Sequence, residues 1–544
     1  MMSKTYLMDR YSFEFKIHNL KFKIIAKIRY NIPLQGLGVL LLLSFNTLIA
    51  QTKYPKDVEV VLQKTKTNRV ELEKALNYFY KSKDSLKIKA INFLVANMDI
   101  HTSYNYYWAD SLGKRLSFNE LDYPSFDSSI HAFEALKANT PKIHPVPYNY
   151  RDIDSIKGDY LIENEEMAFA DWQQPLAKGL SFDDFCEYLL PYRISVEPLQ
   201  NWRAYYKQYF KNLSDSINGK SLADAISAMT FDCHNWFANT YNREQRTDPL
   251  PRLDALQLLN RKKGACEDFT GLGVLEARAL GMAATEEIVP YWATSSASHF
   301  FDVAITSPKN IPYEQLSGTP VNQFVMPREP GKVLRLTYSR QPVTLANTVA
   351  KEAIPLGFMR SVNYKDVTSE YWETQDVGVW LTKSKTVLPP NTKRLVYACV
   401  FNTLDWRPEW WAKTATDTAT FTAMSKGVVY LPMYYQNDKL IPAAYPIAVG
   451  YHHTQVLQPD TANTHTIHLK EQDKYLRYQP AKKYTLYYWN NRWKPLATQM
   501  ASFTEKELIF DGVPKNALLL MVPEYTQHKE RPFMVTEEGE RIWW

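Results

Sequence analysis

The stretch Arg261-Lys262-Lys263-Gly264-Ala265-Cys266-Glu267-Asp268 decides how this chain is read. It carries a cysteine, Cys266, and leads into apolar residues at helical spacing, Leu272, Leu275 and Ala279, with Gly281 placed as the residue just past the helix end. A helix therefore starts at Cys266. Unpaired backbone N–H groups and the positive end of the helix dipole favour a thiolate there, so the sequence predicts a lowered thiol pKa. The same N–H groups suit the oxyanion of a tetrahedral intermediate. Gly264 lets the backbone bend to present the sulfur, and the basic run Arg261-Lys262-Lys263 adds a positive field.

A thiol nucleophile needs a base within reach. Two strand-like runs follow the helix, Ile288 to Trp292 and Phe300 to Ile305, and His299 opens the second among the small residues Ser295, Ser296 and Ser298. A third group must orient the imidazole. Ser307-Pro308-Lys309-Asn310 reads as a turn, which returns Tyr313 to Gln315 alongside the strand that His299 opens. Glu314 is the ionisable residue in that return and the preferred acid. Asp302 and Gln315 are the fallbacks. Asp302 is three residues along the same strand, so alternation turns it to the opposite face from His299.

Three segments carry a resemblance: Gly264-Ala265-Cys266-Glu267-Asp268, then Arg278-Ala279-Leu280-Gly281, then His299-Phe300-Phe301-Asp302-Val303. Over about Ala223 to Gln315 the chain resembles the core of the transglutaminase-like superfamily. Ile162-Glu163-Asn164 through Arg193, and the ending Gly539-Glu540-Arg541-Ile542-Trp543-Trp544, look like a group of transglutaminase-domain proteins from Bacteroidetes. The resemblance implies a papain-like core with a Cys-His-acid triad acting on amide bonds, and Trp236 as a candidate beside the oxyanion site. The chain departs from the pattern in three places. The acid is Glu314 where the family has Asp, Phe301 stands where Trp is common, and Met282-Ala283-Ala284 replaces the usual proline after the helix-ending glycine.

The predicted fold class is α+β, with a helical N-terminal region, a papain-like core and C-terminal β-sandwich-like modules. The boundaries read as 1–50 for a secretory signal, 51–145 for the helical region, 155–325 for the catalytic core, and 326–470 and 471–544 for two β-rich modules. Asn68 is read as a helix cap, Ser85 as a helix start, and Ser181 with Asp184 and Ser221 with Asp224 as capping boxes. His144-Pro145-Val146-Pro147 reads as a linker. The two modules share a pattern: Tyr397 to Phe401 followed by Asn402, Trp406 and Pro408, and Tyr484 to Trp489 followed by Asn491, Trp493 and Pro495. Each then reaches an apolar strand ending in proline, at Pro432 and Pro523.

The chain has 544 residues and a formal net charge of +6. Its first fifty residues hold seven basic side chains and two acidic ones, so the remainder is nearly neutral. A near-neutral body lacks the basic footprint of a nucleic-acid binder. The basic stretch to Arg29, the apolar run Gly36 to Leu43 and the small residue Ala50 have the layout of an export signal, which implies a periplasmic or outer-surface protein. The four cysteines, Cys186, Cys233, Cys266 and Cys399, do not form a disulfide framework. A Cys186–Cys233 bridge is left open, and Cys233 lies on a helical core stripe that suits an inert thiol. His452, His453, His465 and His468 do not have a metal-site spacing, so no metal or cofactor is expected. The expected substrate is a peptide, glycopeptide or peptidoglycan stem. The competing readings are transamidation of protein glutamine, and a catalytically weak scaffold whose β modules bind glycan or protein.

Overall fold

Apolar residues at helical spacing build the first part of the fold. Helix α1 (Arg69–Ser82) buries Leu72, Ala75, Leu76 and Phe79, and α2 (Ser85–Asn97) buries Ala90, Ile91, Leu94 and Val95. The computed structural model describes residues 53–240, 252–381, 395–472 and 476–544, together with the backbone of an antiparallel pair, Glu14–Ile17 with Leu20–Lys23. The signal expected over residues 1–50 otherwise lies outside the described residues. That strand pair belongs to one unit, Met1–Lys56, and everything from Asp57 to Trp544 belongs to another.

Two local expectations change at the start of the second unit. Asn68 precedes α1 but makes no side-chain cap; its amide donates to Ile153 O and Ile156 O, at 3.3 and 2.8 Å. Asp84 caps α2 by accepting from the N–H groups of Leu86 and Lys87. The linker expected at His144–Pro147 is instead a strand. β1 (Thr102–Ala109) pairs antiparallel with β2 (His144–Arg151) along its full length, with Trp108 opposite Pro145 and Tyr106 opposite Pro147. Two prolines at alternate positions point their missing N–H groups to one side, which an edge strand of a two-stranded ribbon tolerates. Between these strands, α3 (Phe126–Asn139) packs on Trp108 through Phe133.

The central layer begins with α4 (Gly158–Trp172), α5 (Arg203–Tyr209), α6 (Leu222–His234) and α7 (Ala255–Arg261). Ser181 and Ser221 cap their helices as expected, accepting from Asp184 N and Asp224 N at 3.0 and 3.1 Å. The next helix, α8 (Cys266–Ala279), is buried throughout from Asp268 to Ala279. It packs on β3 (Ala284–Val289) and β4 (His299–Ala304). With β5 (Ile311–Tyr313), β6 (Leu334–Leu336) and β7 (Tyr364–Asp366) these form an antiparallel sheet of order β7-β6-β3-β4-β5. The first β module was expected to begin at 326, but β6 and β7 belong to the central sheet. β6 pairs with β3 through Leu334–Ile288 and Arg335–Glu287.

The β modules follow: β8 (Thr374–Trp380), β9 (Leu395–Asn402), β10 (Asp405–Ala415), β11 (Thr418–Ser425), β12 (Val428–Gln436), β13 (Ile447–Val449) and β14 (Thr454–Val456) in the first. The second has β15 (Asp460–Lys470), β16 (Lys483–Trp489), β17 (Trp493–Met500), β18 (Glu507–Lys515), β19 (Leu519–Pro523), β20 (Pro532–Val535) and β21 (Arg541–Trp543). The strand orders match. The first runs β8-β11-β10-β9-β12-β13-β14, and the second has β15-β18 beside β17-β16-β19-β20-β21. Even the irregularities recur: each hairpin slips register beside its proline, at Cys399–Pro408 and at Tyr487–Pro495. The repeat read from sequence is thus a duplicated topology. Its seam falls between Val456 and Asp460, because β15, expected at the end of the first module, pairs with β18 of the second.

Every residue of β9 is buried. Val396, Ala398 and Val400 join the core of the first module, whereas Tyr397, Cys399 and Phe401 face Trp489, Leu518 and Leu520 of the second. A strand covered on both faces loses the alternation of a half-exposed one, which explains the continuous apolar run Leu395 to Phe401. The whole is an α+β fold, with the helices in the first half and the strands dominating the second.

Candidate functional site

Cys266 is the first residue of α8, and Ala265 is its N-cap. Ala265 has no side-chain acceptor of its own, so Asp268 reaches back and accepts from Ala265 N at 2.9 Å. That fold-back explains Gly264. A Cβ at position 264 would lie 2.5 Å from Asp268 Cβ, so only glycine lets the chain enter the helix this way. The far end closes as the sequence implies. Gly281 has φ +82°, its N–H bonds Arg278 O, and Met282 N bonds Ala277 O at 2.9 Å.

The thiol does not have the lowered pKa expected of a helix start. It is pushed up to about 11, first by burial, then by the carboxylates of Glu267, Glu286 and Asp268, against a favourable backbone N–H of Glu267. The basic run does not offset this. Arg261 is spent on Glu120, with Nε 2.7 Å from Oε1, and Lys263 sits over the Phe126 ring at 4.9 Å. Glu286 holds Arg252, with Nη2 2.7 Å from Oε1, and that arginine lies over Phe300. This ion pair beside the nucleophile comes from distant segments and leaves no motif in the sequence.

His299 opens β4, and its Nε2 lies 3.0 Å from Glu314 Oε1. The turn at Ser307–Asn310 returns the chain as β5, with Asp302 opposite Tyr313, and Glu314 follows directly. Its carboxylate occupies Nε2 and leaves Nδ1 as the nitrogen available to a thiol. The imidazole is stacked between Trp292, at 5.3 Å between centroids, and Phe301, at 5.8 Å.

The fallback acids lie elsewhere. Asp302 faces α8 and is fully buried. A Cβ on Gly273 would stand 2.6 Å from its Oδ2. Gln315 donates to Glu276 Oε2 of α8 at 2.7 Å. Trp236 gives its indole N–H to Asp232 at 3.0 Å and packs on Tyr209 and Phe210, so the donor that an oxyanion would require is already engaged.

The register between α8 and β4 sets the height of the nucleophile against the base. Gly273 lies beside Asp302, and at the far end Arg278 bonds Ala284 O, which pairs across to Ala304. Helix and strand therefore run in the same direction. Counting back from Gly273, seven helical residues rise about 10 Å to Cys266. Counting back from Asp302, three strand residues rise about 10 Å to His299. Both groups thus stand at one rim of the layer, with His299 on the face of β4 opposite Asp302. Among the described residues no hydrogen bond joins Cys266 Sγ to His299. A polar cavity of about 590 Å³, lined by Ser181, Tyr188, Thr306, Arg335 and Lys365, opens at the other end of β4 and is remote from this rim.

The remaining cysteines are buried free thiols, and burial raises the pKa of each, so Cys186 and Cys233 are not bridged. His468 Nδ1 faces Glu507 at 3.3 Å on an exposed strand. No group of three His, Cys, Asp or Glu side chains converges as metal ligands among the described residues.

No family model matches the chain, and no curated protein matches it. Among solved structures it is similar to one described as "a Putative Cysteine Protease from Cytophaga hutchinsonii", at 19% identity and a TM-score of 0.17. That match covers 21% of this chain and spans 39% of the other protein's length.

Proposed function

We propose that the protein is an exported cysteine-dependent enzyme of transglutaminase-like, papain-like type that acts on amide bonds. Its substrate is a peptide, glycopeptide or peptidoglycan stem, in the periplasm or at the outer surface. The observation that carries this reading is the 3.0 Å contact between His299 Nε2 and Glu314 Oε1, at the rim where α8 presents Cys266. Export rests on the basic stretch and apolar run of the first fifty residues.

The chemistry follows from the raised thiol pKa. Cys266 rests as a neutral thiol and gives its proton to His299 Nδ1 as Sγ attacks the substrate carbonyl. The Glu314 carboxylate fixes the ring and stabilises the imidazolium that forms. The backbone N–H of Cys266 lies at the first helical position, where no intrahelical acceptor exists, and it stabilises the oxyanion. The imidazolium then protonates the leaving amine. A thioester remains, which water hydrolyses or an amine captures.

Release of ammonia or amine from peptide amides and peptidoglycan fragments tests this. A thioester on Cys266, trapped by acid quench and located by mass spectrometry, is the expected intermediate. Cys266→Ala should remove both signals, and unchanged turnover in that variant would sink the proposal. The raised thiol pKa also favours a second reading, a weakly catalytic scaffold whose β modules bind glycan or protein. Glycan binding equal in the parent and Cys266→Ala, without any thioester, is what that reading predicts. An added primary amine that is incorporated faster than water reacts would mark a transamidase.

A further inference from the structure

The histidine of this site emerges from the loop Pro290–Ser298, and that loop is held from outside the central layer. Its own backbone supplies few bonds: Trp292 N to Ala297 O at 3.2 Å and Ala293 N to Glu329 O at 3.2 Å. Ala297 lies in the left-handed region at φ +68°. Residues 328–331 add Gly331 N to Tyr291 O at 3.3 Å, Thr294 Oγ1 to Glu329 Oε2 at 2.6 Å and a bond from Arg328 to Ser295 Oγ, and the two β modules supply further anchoring. Asn402, the last residue of β9, directs one side-chain nitrogen at Trp292 O, Ser295 O and Ala297 O, at 3.1, 3.0 and 3.0 Å. Arg531, just before β20, donates to Ser295 O at 3.2 Å and to Ala293 O. The same guanidinium bonds Phe401 O at 2.6 Å and Trp544 O at 3.0 Å, which ties it to both modules.

This clamp ends on the imidazole. Trp292, whose carbonyl Asn402 holds, stacks on His299. Asn402 is buried, and among the described residues Arg531 hydrogen-bonds only main-chain oxygens; burial works against its charge, and Glu329 favours it. A guanidinium held this way is retained for what its fork fixes in place rather than for an ion pair.

We propose that Asn402 and Arg531 are positioning residues for His299, so that each β module sets part of the geometry of the base. The proposal rests on the reading of His299 as that base. It assigns the duplicated modules a role in orienting the imidazole in addition to any binding they perform. The matching strand β16 ends at Trp489, and its hairpin asparagines, Asn490 and Asn491, follow that strand.

The test compares full-length parent, Asn402→Ser and Arg531→Lys, each checked for folding by circular dichroism. The readout is the pH profile of Cys266 alkylation, with His299→Ala as the reference that lacks the base. In the parent, alkylation at neutral pH that is faster than in His299→Ala is expected. Both variants should bring the profile toward that of His299→Ala and lose roughly tenfold to a hundredfold in rate at neutral pH, as displaced catalytic geometry does. Arg531→Lys keeps the charge, so its loss isolates the fork. If the parent itself matches His299→Ala, the base reading fails. If the parent shows the histidine-dependent enhancement and folded variants keep it unchanged, the positioning proposal is overturned while the site stands. Hydrogen exchange on the parent needs no variant: the amides of Trp292 and Ala293 should share the protection of β9, and exchange at the rate of an open loop would also overturn it.

Discussion

At the residue scale, the decisive quantity is the charge state of Cys266. A thiol with a pKa of about 11 is almost wholly protonated at neutral pH, so its reactivity depends on a base that takes the proton during attack. His299→Ala should lower iodoacetamide labelling of Cys266 at pH 7 by about 100-fold, the contribution of one well-placed general base. Without the base, labelling should climb about tenfold per pH unit until it levels near the thiol pKa, since only the thiolate reacts. Glu314→Gln keeps a polar group near Nε2 but removes the charge, so it should fall between parent and His299→Ala. Equal labelling of all three would remove the triad. These three residues were legible because each sits on a local signal: a glycine before a helix start, a strand opening, a turn with proline. The raised pKa was not legible. Glu286 reaches the thiol from β3 and Arg261 is diverted to Glu120, and both are consequences of packing that no spacing encodes.

At the element scale, α8 and the sheet are joined by buried polar groups. Arg278 bonds four carbonyls, those of Tyr188, Ala284, Pro191 and Arg193, at 2.8 to 3.1 Å. Arg278→Met would strand those acceptors in a dry interior and should cost about 3 kcal/mol or more of stability, read from urea unfolding. A loss below about 1 kcal/mol would mean that the site collapses or admits water. Asp302 is the opposite case, since both its oxygens lack a hydrogen-bond partner among the described residues and burial raises its pKa well above the ordinary range. A carboxyl that stays protonated in the folded chain but ionises in the unfolded one binds more protons when folded. Its stabilising effect is complete below the unfolded pKa near 4 and is lost as pH rises toward the folded pKa. Asp302→Asn should therefore gain on the parent between pH 4 and pH 8, by at most about 1.4 kcal/mol per pH unit. Parallel stability curves for the two proteins would show that Asp302 does not carry this linkage. The sequence placed Asp302 correctly on the far face from His299, because alternation is a property of any strand. It did not show that this face is sealed by Gly273 of α8, because contact between elements depends on their register.

At the scale of the whole molecule, the question is whether the second β module is separable from the first. A repeat in sequence suggests two independent units, yet β9 is buried on both faces and Tyr397, Cys399 and Phe401 lie in the interface. Trp489 is packed there against Trp406 and Trp493, at 5.4 and 5.2 Å between ring centroids. Each large side chain in such an interface represents about 1.5–3 kcal/mol of apolar burial, so removing residues 457–544 would expose several of them together. The shortened chain should aggregate or lose its near-ultraviolet dichroism. In the full chain, Trp489→Ala should cost about 3–5 kcal/mol through the cavity it leaves. Because Arg531 and Asn402 connect this interface to the His299 loop, the loss should not stay in the second module. Calorimetry of the variant should show one transition for Asp57–Trp544 shifted downward as a whole. Two resolved transitions, with only one of them moved, would mean that the modules unfold independently and that the clamp on the loop is too weak to couple them.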